Sequence, residues 1–183
     1  MVFEGIIYGK TIKLRSVEVR DAESTLAMRM DVESQKYMSK VEGSLSQQKS
    51  FIERQREMEG DFLFIAEDYS DRPIGMRRIN SISDDRTECR TGSLIGIGNA
   101  AQNMELTLLG YDFAFQVIGV KRIILEVHEN NINVISNQQK LGATKLYTKY
   151  RDGFDANFIY QELKKETYLN NRRNVYELIE RFS

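Results

Sequence analysis

Two short runs of small and amide residues contain the side chains best suited to chemistry in this sequence. The first, at positions 96–103, reads Gly-Ile-Gly-Asn-Ala-Ala-Gln-Asn between a strand pattern and a helix pattern. Small residues let a ligand approach the backbone closely, and the free N–H groups and dipole at a helix start favour an anion. This run is therefore predicted to bind a phosphate group, although a plain strand-to-helix turn could have the same composition.

The second run begins at His128, the only histidine of the chain, and continues through an asparagine-rich turn. An imidazole there could act as a general base near neutral pH. Glu88 and Glu126, on neighbouring strand patterns, are competing candidates for the base. A single histidine and a single cysteine, Cys89, make a metal-ligand cluster or a Cys–His catalytic pair untenable. No metal is expected.

The elements that must position these residues lie between residues 91 and 142. A strand at 91–98 precedes a helix reaching about Gly119, and a β-branched strand at 121–127 precedes a second helix. Asn130–Asn133 can cap the second helix, and Gly142 is suited to end it. Apolar residues recur along the first helix at spacings of three and four, which predicts a core-facing stripe: Leu106, Leu109, Phe113 and Val117.

The remaining patterns complete an order of β-α-α-β-β-β-α-β-α-β-β. The fold class is α/β (α+β), with a mixed, mostly antiparallel central sheet flanked by helices and one parallel crossover. A short turn is expected at 33–38, and Ser44 with Gln47 forms a capping box for the helix that follows. An extra C-terminal helix at 170–182 is expected to pack on its own domain, although a dimer surface is the alternative. Its apolar face contains Val175, Leu178, Ile179 and Phe182.

The composition fits one ordinary globular domain. The chain has 183 residues, of which 41% are hydrophobic and 29% charged, with a net charge of −1. Such a charge gives no general field for nucleic acid, so no nucleic acid partner is expected. Without an apolar run of membrane-spanning length, no membrane partner is expected either. A lone cysteine suits a reducing compartment, and we predict a cytoplasmic protein.

Three sequence runs resemble one known family. Gly119–Val127, Asn131 and Lys140–Ala143 resemble the second half of the GNAT superfamily of acyl-CoA-dependent N-acetyltransferases. In that family a strand is followed by N-x-x-[AS]-I-x-L-Y-x-K-L-G-F, which residues 131–143 follow in part. The run Glu105–Phe115 is similar to a helix of the subgroup containing ribosomal-protein and amino-sugar N-acetyltransferases. The resemblance implies a GNAT domain at 1–168 and a helical extension at 169–183.

The resemblance also implies acetyl-CoA as the acetyl donor. The turn and first helical turn would bind its pyrophosphate, the β-strand edge at 93–96 its pantetheine arm, and a backbone N–H near Leu94 or Ile95 the thioester oxygen. Asn131 matches an asparagine that contacts the arm. The loop is shorter than the family's usual [RQ]-x-x-G-x-[GA] form. The full set of cofactor-binding residues is Leu94, Ile95, Gly96, Asn99, Ala100, Ala101, Gln102, Asn103 and Asn131.

The catalytic acid departs from the family pattern. The tyrosine that often protonates the leaving thiolate aligns with Gln138, which cannot donate a proton in that role. Ser136 and Tyr147 are nearby hydroxyls that could replace it, although a structural role suits each of them. The candidate catalytic residues are therefore Ser136, Gln138, Glu88 and His128.

The predicted activity is transfer of an acetyl group from acetyl-CoA to a primary amine of a small molecule, by direct attack. An amino sugar is one candidate acceptor. Alternatives are a protein N-terminus, a polyamine, or a CoA-binding module without catalysis. The loop Ser39–Ser46 could form the acceptor rim or an ordinary surface, and Arg77 or Arg78 could bind an acceptor phosphate or face solvent. The chain is expected to be a monomer or homodimer.

Overall fold

The computed structural model describes residues 1–39 and 43–182, and places eight strands of these residues in one sheet. The order across the sheet is β1-β2-β3-β4-β5-β6-β8-β7. The strands are β1 (Ile6–Tyr8), β2 (Ile12–Ser16), β3 (Phe62–Asp68), β4 (Pro73–Asn80), β5 (Glu88–Gly96), β6 (Arg122–His128), β7 (Thr144–Arg151) and β8 (Ala156–Lys164).

Six α-helices flank this sheet in the described part of the chain. They are α1 (Ala22–Met30), α2 (Val32–Gln35), α3 (Leu45–Glu57), α4 (Ala100–Asp112), α5 (Ile132–Lys140) and α6 (Lys165–Phe182). A π-helical segment, Phe113–Ile118, continues α4 without a break. No helix of the described residues is long and apolar enough to cross a membrane.

The alternation of strand direction is interrupted at one position in the sheet. Neighbouring strands are antiparallel except for β5 and β6, which are parallel and joined through α4. The predicted fold class, with its single parallel crossover, is confirmed. Only three residues of each strand pair across this junction, Glu88–Arg90 with Arg122–Ile124. The two strands diverge beyond that point.

Two apolar clusters fix the layers on the two faces of the sheet. The larger one joins α4 and α6 to one face and includes Leu106, Phe113, Ile123 and Val175. The smaller one, on the opposite face, joins α1 and α3 to the sheet and includes residues such as Met76. Alternation along a strand sends successive side chains to opposite faces. A side chain of the central strands can therefore be assigned to the α4 side or to the α1–α3 side.

Three local end signals, on two helices, agree with the sequence. Ser44 and Gln47 form the predicted capping box at the start of α3. The side chain of Asn131 caps α5, and Gly142 follows α5 with φ +95°. This left-handed conformation suits glycine because it has no Cβ to clash with the backbone.

Four expectations about the elements require correction. The predicted order lacks β1, a three-residue edge strand too short to show an alternating pattern, and it treats α2 as a turn. Val117 is 57% exposed, because the π-helical segment is wound more widely than an α-helix and changes the periodicity of the stripe. Leu178 is 44% exposed, whereas Val175 and Ile179 are buried in a narrower stripe. The predicted acceptor rim, 39–46, lies partly outside the described residues.

Candidate active site

The divergence of β5 and β6 opens a cleft of about 780 Å³ in the middle of the sheet. Its walls are the second half of β5, the end of β6, the first turns of α4 and α5, and residues around α2. Beyond Arg90, no strand of the described residues pairs with β5 on this side. Backbone N–H and C=O groups of β5 are therefore open, and an extended amide chain can add to such an edge as an extra strand.

A β-bulge interrupts β5 beside the cleft. The register between β4 and β5 shifts between Met76 and Arg78, so that two residues of β5, Ser93 and Leu94, lie opposite one residue of β4. Ser93 has φ +44°, a left-handed conformation that costs a residue with a side chain about 1–3 kcal/mol. The extra residue of a bulge is left out of the strand ladder. The bulge thus frees backbone groups next to Leu94, where a carbonyl oxygen would need a donor.

The first turn of α4 offers backbone N–H groups to the cleft. Asn99 and Gln102 form a reciprocal capping box in which each side chain accepts from the other's N–H at 2.9 Å. Within the described chain, no group accepts from the N–H of Ala100 or Ala101. These donors and the helix dipole together favour an anion at this end. Ala100 is exposed and lines the cleft, whereas Ala101 is buried in the core.

Asn103 adds a buried acceptor at the same place. Its Nδ2 donates to the Gly98 carbonyl at 3.0 Å, and its Oδ1 has no donor among the described residues. A Cβ atom at Gly96 would lie 2.3 Å from that Oδ1, so this packing requires glycine at position 96. Because buried polar groups in proteins are nearly always hydrogen-bonded, an amide N–H of a ligand is the natural partner of Asn103 Oδ1.

Two amide side chains of α5 face the cleft. Asn131 Oδ1 accepts from the Val134 N–H at 3.4 Å, which leaves the Nδ2 hydrogens for a ligand. Gln138 is buried, and its Oε1 accepts from Gln161 Nε2 at 2.6 Å. The geometry therefore makes Gln138 a fixed N–H donor. An amide has no titratable proton near neutral pH, so this side chain does not replace a catalytic acid.

His128 lies on the side of the cleft away from α4, within an aromatic cluster. Its ring centroid is 5.2 Å from that of Tyr37 and 5.3 Å from that of Phe158. The Asn130 N–H donates to His128 Nδ1 at 3.1 Å, which assigns the proton of the neutral ring to Nε2. In this tautomer Nε2 donates and does not accept, so His128 is better placed to orient an acceptor than to deprotonate it.

Glu126 shares that side of β6 and also lines the cleft. Its carboxylate forms an ion pair with Arg151. Tyr160 lies opposite it on β8, and burial, together with the Glu126 carboxylate, raises the pKa of Tyr160. The tyrosine therefore remains neutral, and Glu126 presents a carboxylate on this wall of the cleft.

The structure separates the other predicted catalytic residues from the cleft. Glu88 lies at the paired end of β5, 2.6 Å from Arg122 in an ion pair. Ser136 is on a part of α5 that does not line the cleft. Tyr147 lies on the edge strand β7, where it stacks on Tyr160 with ring centroids 4.6 Å apart.

Sequence reasoning missed several residues that the fold brings to the cleft, among them Tyr37, Thr107 and Asn137. Thr107 could have been found, because it lies four residues after Asn103 and so shares a face of α4 with it. Asn137 immediately precedes Gln138 in the motif run. Tyr37 follows α2 in a segment whose sequence gives no signal of its position.

The sequence matches the family model described as "Acetyltransferase (GNAT) domain" over residues 11–144. The chain belongs to this family of acetyltransferases, which use acetyl-CoA. Among curated proteins, no sequence match was found. In the described residues, no group of three or more His, Cys, Asp or Glu side chains could hold a metal ion.

Solved structures of the same fold include a protein described as "FdhC- a nucleotide-linked sugar GNAT", in apo form. It is 27% identical, covers 95% of this chain and 97% of its own, and gives a TM-score of 0.80. A Vibrio cholerae spermidine N-acetyltransferase in complex with CoA and spermine is 15% identical to this chain. The match covers 88% of this chain and 100% of that one, with a TM-score of 0.78. A GCN5-related N-acetyltransferase from Brucella melitensis is 12% identical to this chain. The match covers 97% of this chain and 86% of that one, with a TM-score of 0.79. The last two show the fold alone.

Proposed function

We propose that this protein transfers the acetyl group of acetyl-CoA to a primary amine of a small molecule, with an amino sugar as the leading acceptor. The observation that supports this most directly is the divergence of β5 and β6 beside the start of α4. It combines an open strand edge with unpaired N–H donors of a helix start. A diphosphate with an extended amide arm requires both features, in this order along the cleft.

The residues of the donor side fit CoA without rearrangement. The N–H groups of Ala100 and Ala101 would face the pyrophosphate. Asn103 Oδ1, which has no donor in the described chain, would accept from an amide of the arm. The arm would then lie along β5 and bring its thioester to the bulge at Ser93. A backbone N–H next to Leu94 would donate to the carbonyl oxygen as negative charge develops on it.

The residues of the opposite wall would handle the acceptor. Glu126, held by Arg151, would accept the proton of the ammonium, either directly or through a water molecule. The free amine then attacks the thioester carbon, a C–N bond forms, the C–S bond breaks, and the attacking nitrogen releases its second proton to solvent. The thiolate takes its proton from solvent, because Gln138 can donate a hydrogen bond but cannot transfer a proton.

Two observations support an amino sugar as the acceptor. The relative that is 27% identical over nearly the whole chain is described as a nucleotide-linked sugar GNAT. The acceptor wall has an aromatic cluster of Tyr37, His128 and Phe158, and aromatic rings of this kind can stack on a sugar or on a base. A polyamine or a protein N-terminus as acceptor would be recognised in the same experiment.

The test is release of CoA thiol from acetyl-CoA with a panel of amines that includes nucleotide-linked amino sugars, spermidine and N-terminal peptides. Acetylation of an amino sugar with a kcat/KM at least tenfold above that for the other classes would support the proposal. Preferential acetylation of spermidine or a peptide would refute an amino sugar as the acceptor but would still support the acetyl transfer itself. Acetyl-CoA binding without thiol release from any amine would favour a CoA-binding module without catalysis.

A further inference from the structure

The floor of the cleft contains a buried arginine with no carboxylate partner among the described residues. Arg77, in the middle of β4, is 2% exposed and contributes to the cleft lining. Its Nε and Nη2 atoms are inaccessible to solvent and have no hydrogen-bond acceptor among the described residues. Its closest described partner is the ring of Tyr111, whose centroid is 4.7 Å from the guanidinium carbon. Buried charges in proteins are normally paired, so this arrangement indicates a missing anion.

Two half-buried arginines on the neighbouring strand positions do have carboxylate partners. Arg78, the next residue, is held by the carboxylate of Asp61. Arg15 pairs with Asp21 at 2.7 Å and with Glu67 at 2.6 Å. The absence of a carboxylate next to Arg77 in the described residues is thus a local feature and not a general property of this sheet.

The helix above Arg77 is adapted to its side chain. A Cβ at Gly110 of α4 would lie 3.0 Å from both Cγ and Nε of Arg77. Glycine inside a helix costs about 1 kcal/mol relative to alanine, and here it makes room for the arginine. The hydroxyl of Tyr111, fully buried, also has no partner in the described chain. Two unpaired donor groups are therefore clustered beneath α4.

The position of Arg77 assigns the missing anion to the acyl donor and not to the amine that accepts the acyl group. Arg77 lies opposite the bulge at Ser93 and Leu94, where the thioester would end. Its side chain contacts Gly110 and Tyr111 on the α4 side, whereas Glu126, the proposed base, lies on the other side of the sheet. An acyl chain that continues past the thioester would reach Arg77, but an amine approaching along Glu126 would not.

We propose that the donor pocket accepts an acyl group ending in a carboxylate, as in the CoA thioester of a short dicarboxylic acid, and that Arg77 binds this carboxylate. The proposal rests on the proposed CoA site and widens its donor beyond acetyl. The transfer itself is unchanged: the C–S bond breaks, the C–N bond forms, the ammonium proton goes to Glu126, and the thiolate is protonated by solvent. The distal carboxylate takes no part in the reaction, and Arg77 is a specificity-determining residue.

The test is calorimetric binding of unreactive CoA thioethers without any amine. Carboxyalkyl thioethers of two to four carbons are each compared with the neutral alkyl thioether of equal length. The wild-type protein should bind one carboxyalkyl compound at least tenfold more tightly than its neutral match. Arg77→Met should reduce that preference to less than twofold and leave affinity for CoA itself unchanged. Equal affinities in the wild type, or a preference kept in Arg77→Met, would overturn the proposal.

A second variant keeps the test decisive if Arg77→Met does not fold. Removing an unpaired buried charge should leave the melting temperature of Arg77→Met equal to or above that of the wild type. If that variant does not fold, Arg77→Lys decides, because lysine keeps the charge and loses the two-pronged geometry. A preference reduced at least threefold supports the role of Arg77, and an unchanged preference refutes it. Failure of the wild type to bind CoA would instead refute the proposed function.

Discussion

The two halves of strand β5 belong to one element and have opposite surroundings. In the first half, Glu88–Arg90 pairs with β6, the carboxylate of Glu88 meets Arg122, and Cys89 is completely buried. In the second half β5 pairs with β4 while its other edge is open, a bulge forces Ser93 into φ +44°, and Asn103 Oδ1 nearby has no donor among the described residues. A strained residue and an unsatisfied polar group therefore lie where β5 no longer pairs with β6.

This difference shows how a sheet can be both rigid and open. The paired half fixes the separation and direction of β5 and β6, and divergence begins only after that point. If this view is correct, substitutions in the open half should alter ligand binding with little effect on folding. Substitutions in the paired half should leave ligand binding unchanged.

The largest effect on CoA binding is expected from Ala100→Glu, at the helix start next to the open half of β5. The carboxylate would lie among the N–H groups proposed for the pyrophosphate, and like charges near a protein surface repel by several kcal/mol at contact. CoA affinity should fall at least about 30-fold, equivalent to about 2 kcal/mol, by calorimetry. Ala100→Gln is the matched control and should bind within about threefold of the wild type, since 1.4 kcal/mol corresponds to a tenfold change. Unchanged affinity in Ala100→Glu would remove this turn from the site.

The next effect compares two glutamates on adjacent strands. Glu126→Gln removes the proposed base and should lower kcat by about 100-fold, the low end for general base catalysis, with CoA affinity unchanged. Glu88→Gln, in the paired half, should leave kcat and CoA affinity unchanged and cost at most about 1 kcal/mol of stability. Equal losses of kcat in the two variants would contradict the division of the strand.

Substitutions at Gly96 and Asn103 should have a smaller effect on CoA affinity, and the two effects should not add. Gly96→Ala places a Cβ where Asn103 Oδ1 now lies, and Asn103→Ala removes the same acceptor. Each should weaken CoA binding by about 1 kcal/mol, the net value of one hydrogen bond. The double variant should lose no more than either single one, since both changes remove one interaction. Fully additive losses would show that the two changes act independently, so that Gly96 does not serve the Asn103 contact, and Gly153→Ala serves as a neutral control.

The smallest effect concerns the thiol of Cys89 in the paired half. Burial raises its pKa to about 12, so the thiolate is scarce and inaccessible in the folded protein. Because the folded pKa is raised from 9.0, this group destabilises the fold only as pH rises above about 9. At pH 8, less than about 0.1 thiol equivalent per chain should react with a chromogenic thiol reagent in the native protein. About one equivalent should react in denaturant. Rapid reaction of the native thiol would indicate that this half of the sheet opens.

Several features of the protein were determined by local sequence. Asn131, Gly142 and the Ser44–Gln47 pair specify helix ends through their own side chains or backbone freedom, so they act without distant partners. The family motif at 131–143 and the apolar periodicity of the helix from residue 100 gave the crossover between β5 and β6, and with it the position of the cleft. The open edge of β5 was anticipated at 93–96, whereas the helix was expected only after a turn at 99–103 and in fact begins at Ala100, because Asn99 and Gln102 cap it.

Other features were decided only by contacts between distant segments. The edge strand β1 exists because β2 offers it a partner, and Val117 is exposed because the π-helical segment changes the direction of the last turn. Glu88 could not be distinguished from Glu126 in sequence, since Arg122 pairs with the first and the divergence of two strands exposes the second. Arg77 looked like a surface residue until strand pairing and Gly110 placed it beneath α4. For Glu88 and Arg77 the deciding interactions join residues that are far apart in the chain, and no local pattern encodes them.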